Sequence, residues 1–362
     1  MTVPTILVDG HVLDCHPQGT CAYIAGLYGE VAQRGIARVL VAAVHEDSVA
    51  RWFPNTSGVD WVRLQSRNKF TRLALDFDRL AARWRPDYMH FQYITPLRKR
   101  SRWIVTIHDL LFIDLPEYFP WRYRVKNRLL FARSARRADL LLTVSDYSRR
   151  AIATQFAMPL ERIHVTTNGI DGFAKTAVEA MPGLTPGRFF LYVSRYEPRK
   201  NQHGLLRAFR EMADQLPDGF DLVLVGSPAI NYPAFDAELA QAAGRIRQEA
   251  DLSRGALAWL YRNAAASIYP SFAEGFGIPP LEAVAAGGVS YCAHNTAMRD
   301  LAPYVHGTFD AADINDIKRV MRRAVAGTDA AKSPSLRARL EQSFSWQRSG
   351  EQFARALETV EQ

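Results

Sequence analysis

Short apolar runs rich in β-branched residues alternate with helix-like segments along almost the whole chain, and this alternation most limits the fold. Strands are expected at 5–8, 37–44, 61–64, 88–91, 104–107, 140–144 and 164–166, then at 189–193, 222–225, 266–269 and 288–291. Helical patterns fill the gaps, among them 20–34, 69–83, 202–215, 255–263 and 281–286. Alternation of this kind implies parallel sheets covered by helices on both faces, an α/β architecture. At 362 residues and 48% apolar content the chain can bury two cores. Pro182, Gly183, Pro186 and Gly187 punctuate the stretch between the two strand series. Residues 173–187 therefore read as a linker between a first domain, 1–172, and a second, 188–345. Ligands of such sheets bind at the carboxyl ends of the strands, so the loops there carry the candidate chemistry.

The segment Ser271-Phe272-Ala273-Glu274-Gly275-Phe276-Gly277-Ile278-Pro279-Pro280-Leu281-Glu282-Ala283 is the most informative of these loops. Proline fits the first helical turn, which places a helix start near Pro279 or Pro280. Gly275 and Gly277 allow close backbone approach, and a helix N-terminus offers unpaired N–H groups and partial positive charge. The result is a cradle for phosphate with a glutamate on each side. Carboxylates repel phosphate, so Glu274 and Glu282 are better suited to gripping hydroxyls, and a molecule with hydroxyls flanking a diphosphate is a nucleotide sugar. The plain alternative is a tight turn before a helix. A glycosidase acid–base pair is disfavoured, because retaining hydrolases hold their carboxyls about 5 Å apart and eight helical residues span roughly 12 Å.

The loop Ser194-Arg195-Tyr196-Glu197-Pro198-Arg199-Lys200-Asn201 follows the first strand of the second half. Departure of a nucleoside diphosphate builds negative charge, which Arg195 and Lys200 would stabilise without a divalent metal. An ordinary basic loop is the competing reading. His108-Asp109 ends the strand at 104–107; a lone histidine is more often structural than catalytic. Gln18-Gly19-Thr20 opens a helix after the first strand and could cradle an anion or an acceptor.

Charge is uneven. Residues 1–180 carry 25 Lys and Arg against 17 Asp and Glu, while the remaining residues carry 20 of each. Arg98-Lys99-Arg100-Ser101-Arg102 forms one basic cluster. A second runs from Trp121 to Arg137, where Val125, Leu129, Leu130, Ala132 and Ala135 supply an apolar side. A solvated helix face and an anionic membrane surface both fit; no nucleic-acid-binding motif accompanies the charge. No run of 18 apolar residues exists, and the N-terminus enters a strand without a signal-peptide pattern. Cys15, Cys21 and Cys292 match no metal spacing and suit a reducing compartment, so a cytoplasmic protein, peripheral on the inner membrane face, is expected.

In this order, these segments resemble glycosyltransferase family 4, a retaining family with the GT-B fold of two Rossmann-like domains facing a central cleft. The matching residues are Gly19-Thr20, Thr106-Ile107-His108-Asp109, Thr143-Val144-Ser145-Asp146-Tyr147-Ser148, Asn168-Gly169-Ile170-Asp171, Ser194-Arg195 with Lys200-Asn201, and the run from Pro270 to Glu282. The resemblance implies that Glu274 lies against the transferred sugar and Glu282 holds the ribose hydroxyls. It implies that Arg195 and Lys200 meet the diphosphate, that N–H groups around Phe276, Gly277 and Ile278 touch sugar or phosphate oxygens, and that His108 stands beside the donor sugar. It further implies front-face displacement with no enzymatic nucleophile, no cofactor or metal, and a C-terminal helix, 346–362, crossing back onto the first domain. Ser194 stands where the family often has glycine, and Arg245-Ile246-Arg247-Gln248-Glu249 replaces its usual apolar-Gly stretch near the nucleobase. The stretch from His108-Asp109-Leu110-Leu111 to Pro116-Glu117-Tyr118-Phe119-Pro120 is most similar to the mannosyltransferase branch. GDP-mannose is therefore the expected donor and a glycan or lipid-linked glycan the acceptor, with a UDP-sugar as the rival donor. A phosphorylase or epimerase of the same fold and a non-catalytic nucleotide-sugar binding protein are the rival classes.

Overall fold

The computed structural model describes all residues except Met1, Thr2, His16, Pro17, Asn55, Asp171, Ala174, Lys175, Ala243 and Gln362. Asp171 of the Asn168–Asp171 block, and two residues of the expected linker, thus lie outside the described residues. The chain divides into two compact units, Met1–Gly169 with Phe344–Gln362, and Ile170–Ser343.

The first unit is built on a seven-stranded parallel sheet of order β3-β2-β1-β4-β5-β6-β7. Its strands are β1 (Thr5–Asp9), β2 (Arg38–Ala43), β3 (Val59–Arg63), β4 (Tyr88–Gln92), β5 (Arg102–Thr106), β6 (Leu140–Thr143) and β7 (Ile163–Val165). The second unit has six parallel strands in the order β10-β9-β8-β11-β12-β13. These are β8 (Phe189–Val193), β9 (Asp221–Val225), β10 (Ile246–Glu249), β11 (Ala266–Tyr269), β12 (Ser290–Ala293) and β13 (Gly307–Phe309). Both orders reverse direction once, between β1 and β4 and between β8 and β11, and each reversal opens a crevice at the carboxyl ends of the two flanking strands. The central strands are sealed: Ile6, Leu7, Val8, Leu191 and Val223 have no exposed surface. Continuous apolar runs in parallel strands arise because helices cover both faces.

The helices that position the loops are α1 (Gly19–Gln33), α2 (Trp121–Arg137), α3 (Asp146–Phe156), α4 (Gln202–Glu211), α5 (Arg254–Asn263), α6 (Ile278–Ala285) and α7 (Trp346–Glu361). The terminal helix α7 packs on α1 through a glycine contact. A Cβ on Gly26 would lie 2.0 Å from the Trp346 ring, and one on Gly169 would lie 2.5 Å from the Trp346 amide nitrogen. Thr167 donates its N–H to Gln352 Oε1 at 3.1 Å, and Phe353 meets Tyr28 edge-on.

The structure differs from four expectations. Strands β10 and β13 were not anticipated: both are sheet edges, and β10 reads Ile-Arg-Gln-Glu because an edge needs no apolar cover. The helix expected at 69–83 contains a π-turn at Arg72–Asp76, which turns the Arg72 side chain inward to within 3.4 Å of Asp9. The expected linker belongs to the second unit. Phe173 is buried with Arg254 stacked 4.7 Å from its ring centre, and Gly187 donates its N–H to the Asn263 carbonyl at 2.7 Å. Finally, Val125 and Leu129 do not face the core. They are 53% and 67% exposed, and α2 buries Asn127, Phe131, Ala132, Ser134 and Ala135 instead.

Candidate active site

In the second unit the loops after β8 and β11, the two strands that flank the reversal, converge. The loop after β8 ends in a short 3-10 turn, Pro198–Lys200, followed by Asn201 in the left-handed region at φ 56°. That turn places Arg199 and Lys200 side by side. Lys200 Nζ donates to Glu274 Oε1, and Arg199 Nη1 bonds Glu274 Oε2 at 3.3 Å and the Ala273 carbonyl at 2.8 Å. Arg199 Nη2 also pairs with Glu197 at 2.6 Å. Two cations and two carboxylates thus form one neutral, largely buried cluster. Burial would raise the Glu274 carboxyl, but Lys200 and Arg199 together outweigh it and hold the group down to about 2. Burial pulls the Lys200 ammonium below its ordinary value despite Glu274.

The backbone around this cluster is tightly stitched. Phe272 donates its N–H to the Arg199 carbonyl at 2.8 Å, and the Glu274 N–H is accepted by Thr296 Oγ1 at 2.9 Å. Gly277 is the N-cap of α6 at φ 97°, and a Cβ there would lie 2.8 Å from Leu301. Only glycine adopts that backbone cheaply. Pro279 and Pro280 occupy the first turn of α6 without loss, since the opening N–H groups of a helix have no intrahelical acceptor. Those groups face the end of the loop that carries Gly275 and Phe276.

Glu282 sits one turn inside α6. Its Oε2 accepts from the Tyr261 hydroxyl of α5 at 3.0 Å. Burial pushes its carboxyl up to about 7, only partly offset by Tyr261 and Arg254. A carboxyl raised by folding favours the protonated folded form, so stability should fall as pH rises from about 4.5 to about 7. Glu282→Gln should therefore raise stability at pH 8 by about 3 kcal/mol and change nothing at pH 4. Urea melts of both proteins at the two pH values measure this; a pH-independent difference would contradict it.

Three sequence expectations change in detail. Arg195 does not join the cluster: it is exposed, with no side-chain partner among the described residues, while Gln202 holds its carbonyl at 2.8 Å. Arg199 takes the place beside Glu274. Glu274 itself is paired with cations and not left open for a hydroxyl, because a buried carboxylate needs charge partners. Ser194 is tied to the Val225 carbonyl at 3.0 Å, and Gly226 makes that approach possible. Its φ is 143°, and a Cβ there would lie 2.1 Å from the Ser194 carbonyl oxygen. Among the described residues no three His, Cys, Asp or Glu side chains are grouped so as to hold a metal ion.

In the first unit, Gly19 and Thr20 form the first turn of α1, beyond the carboxyl end of β1, with Gln18 as N-cap. His108 follows β5 and is 8% exposed. The Thr143–Ser148 segment fixes its backbone: Thr143 Oγ1 donates to the Ile107 carbonyl at 2.7 Å and Ser148 Oγ to the His108 carbonyl at 2.8 Å. Ser145 caps α3, accepting the Ser148 N–H at 3.1 Å. Tyr93 follows β4 at φ 64° with its hydroxyl 3.4 Å from Asp109, a strained backbone of a kind that collects at functional sites. Neither Tyr93 nor Gln92, which bonds the His108 ring, carries a motif that sequence reasoning could find.

Comparison with known proteins agrees with this layout. The family model "Glycosyltransferase Family 4" matches residues 18–172, and "Glycosyl transferases group 1" matches 184–303. The chain is 29% identical over 282 residues to the O-antigen chain mannosyltransferase B of Escherichia coli, covering 72% of each protein. It is 30% identical over 188 residues to the serotype-specific mannosyltransferase WbdA of Escherichia coli, 49% of this chain but only 23% of that much longer relative. Among solved structures, Anabaena HepE in complex with UDP-glucose superposes with a TM-score of 0.76 at 17% identity, over 98% of this chain and 100% of that one. The two parallel-sheet Rossmann-like units, the loops at their reversal points and the two successive family matches establish that the chain belongs to glycosyltransferase family 4 and has the GT-B fold.

Proposed function

We propose that this glycosyltransferase moves mannose from GDP-mannose to a glycan or lipid-linked glycan during surface polysaccharide synthesis, with retention at the anomeric carbon. The observation that carries the reading is the neutral Arg199–Lys200–Glu274–Glu197 cluster next to the glycine-capped start of α6. It supports a site for a diphosphate at the helix start, with Glu282 one turn inside α6 as the acid that meets a hydroxyl. Arg195, unengaged and exposed at the mouth of the same loop, supplies the further positive charge that a diphosphate requires. With Arg195 and the unpaired opening N–H groups of α6 stabilising the leaving group, no divalent metal or other cofactor is needed. The mannose assignment rests on the named activities of the relatives, and a UDP-sugar is the second candidate because a UDP-glucose complex shares the fold.

A melting panel with GDP, UDP and ADP tests the donor. At a hundred times its dissociation constant the right nucleotide should stabilise the protein by about 2.7 kcal/mol. Selective stabilisation by GDP, with transfer of label from GDP-mannose, upholds the proposal; a response to UDP alone replaces mannose as the donor sugar, and indifference to all three removes the site.

We further propose that α2 places the protein on the cytoplasmic face of an anionic membrane. No helix among the described residues is long and apolar enough to cross one. Trp121, Val125 and Leu129 are spaced four apart and are 66%, 53% and 67% exposed, so the helix has a second, outward apolar stripe. At 100° per residue, Arg122 and Lys126 lie on one flank of the stripe and Arg124 and Arg128 on the other. The helix contains no acidic residue. Its three C-terminal arginines are structural: Arg133 grips the Pro96 and Leu97 carbonyls, Arg136 the Phe156 carbonyl and Arg137 the Leu97 carbonyl. Each basic residue near such a surface contributes about 1 kcal/mol. Replacing Arg122, Arg124, Lys126 and Arg128 by Gln should cut binding to phosphatidylglycerol vesicles at least 100-fold, and salt should weaken the unmodified protein likewise. Equal binding before and after would return these residues to a solvated face.

A further inference from the structure

The first unit contains a buried polar chain that ends at the His108 ring. His108 Nε2 lies 2.7 Å from Gln92 Oε1, and Gln92 Nε2 lies 3.3 Å from His90 Nε2. His90 Nε2 also meets Thr106 Oγ1 at 2.8 Å, and His90 Nδ1 meets the Tyr28 hydroxyl at 2.7 Å. His90 and Thr106 have no exposed surface, and Gln92 is 8% exposed. Parallel pairing of β4 with β5 sets Gln92 opposite Thr106, and the period of two puts His90 and Gln92 on one face of the sheet. Two tyrosines hold the plane of the His108 ring: Tyr23 stands edge-on at 4.9 Å and Tyr93 is tilted against it at 5.4 Å.

The separations orient the amide. A distance of 2.7 Å suits an N–H···O bond, whereas 3.3 Å suits the looser contact of an amide N–H with an imidazole nitrogen. The Gln92 carbonyl oxygen only accepts, so the bond to it requires the ring proton to be on His108 Nε2. In the neutral ring Nδ1 then carries a lone pair. That atom has no partner among the described residues and is not among the fully buried polar atoms left without one. Burial also holds the ring's pKa down to about 3, so it is neutral at ordinary pH.

We propose that Gln92 is a positioning residue that locks His108 in the Nε2–H form, so that its Nδ1 lone pair is presented beyond the carboxyl end of β5 as the acceptor for a substrate hydroxyl. The identity of that hydroxyl as a sugar's rests on the sugar-transfer reading above; the tautomer does not. His108 acts here by accepting a hydrogen bond, and the chain through His90, Thr106 and Tyr28 holds the amide that sets it.

Nitrogen-15 spectra of histidine-labelled full-length protein test this without donor or acceptor. The expected spectrum shows His108 protonated at Nε2 and bare at Nδ1. Gln92→Leu should let the two tautomers mix, a change that loss of packing alone does not produce. Gln92→Glu should restore the Nε2–H form and raise the ring's titration from about 3 to about 4–6, because a neighbouring carboxylate favours the imidazolium by about 1–3 pH units. If Gln92→Leu does not fold, the Gln92→Glu titration decides alone. An Nδ1–H tautomer in the unmodified protein, an unchanged tautomer in Gln92→Leu, or an unshifted titration in Gln92→Glu would overturn the proposal. The nucleotide melting panel is independent, so either result can fail while the other stands.

Discussion

Glu274→Ala is expected to abolish sugar transfer and, in addition, to lower the stability of the protein by about 3 kcal/mol. Removing one partner of a buried ion pair typically costs about 3–5 kcal/mol, because the opposite charge is left without compensation. The lower figure applies because Glu197 still pairs with Arg199 and the Lys200 and Glu274 side chains are each slightly exposed. The sequence points to a substrate role alone for this glutamate; its contacts with Lys200 and Arg199 make it a structural charge as well. The sign with pH follows from a carboxyl lowered by folding: its stabilisation is complete above about pH 4.5 and is lost as pH falls toward 2. Glu274→Gln should keep part of the hydrogen bonding and melt between the two. Transfer by both variants is to be compared at a fixed interval below each melting temperature, where loss of at least about 100-fold is expected from an electrostatic group at the reacting centre. Full transfer by the alanine variant would take Glu274 out of the reaction, and an unchanged melt would show that the cluster does not stabilise the fold.

Gly226→Ala should be the most damaging single methyl group that can be added near the candidate donor loop. The added carbon would lie 2.1 Å from the Ser194 carbonyl oxygen, with the neighbouring Arg195 nitrogen at 3.4 Å, and both obstacles are backbone. The φ of 143° is one that an L-residue adopts only with strain, which costs about 1–3 kcal/mol before any clash is counted. The end of β8 must then move away from β9, and Arg195 through Lys200 move with it. Expected outcomes are a stability loss of about 3 kcal/mol in urea melts and disappearance of nucleotide-induced stabilisation. Retained stabilisation by the cognate nucleotide would show that the loop tolerates the shift, and that its fine placement is not what binds the diphosphate.

The role of Gly226 is not legible in the sequence. Nothing marks it out except that it follows an apolar run; its importance comes from a carbonyl 32 residues earlier in the chain, brought beside it by strand pairing. Arg199 is similar. It lies inside a loop that sequence reasoning did single out, but only the 3-10 turn at Pro198–Lys200 puts Arg199 beside Lys200 on Glu274 and leaves Arg195 at the surface. The outward stripe of α2 was hidden for a different reason. Helical periodicity shows which residues share a face, and α2 has two apolar faces, so the pattern could not say which one the core would take.

What the chain's residues determined by themselves was the sheet-and-helix alternation, the two strand series, the family and the loops at the strand ends, because strand and helix periods and glycine- or proline-marked turns are local properties. Edge strands β10 and β13, the π-turn, and the attachment of Phe173 to Arg254 were left to the tertiary structure. So were the charge cluster on Glu274 and the Gln92–His108 bond. Each of these depends on contacts between residues far apart in sequence, where burial first creates the need for a partner and the surrounding fold then decides which one is within reach.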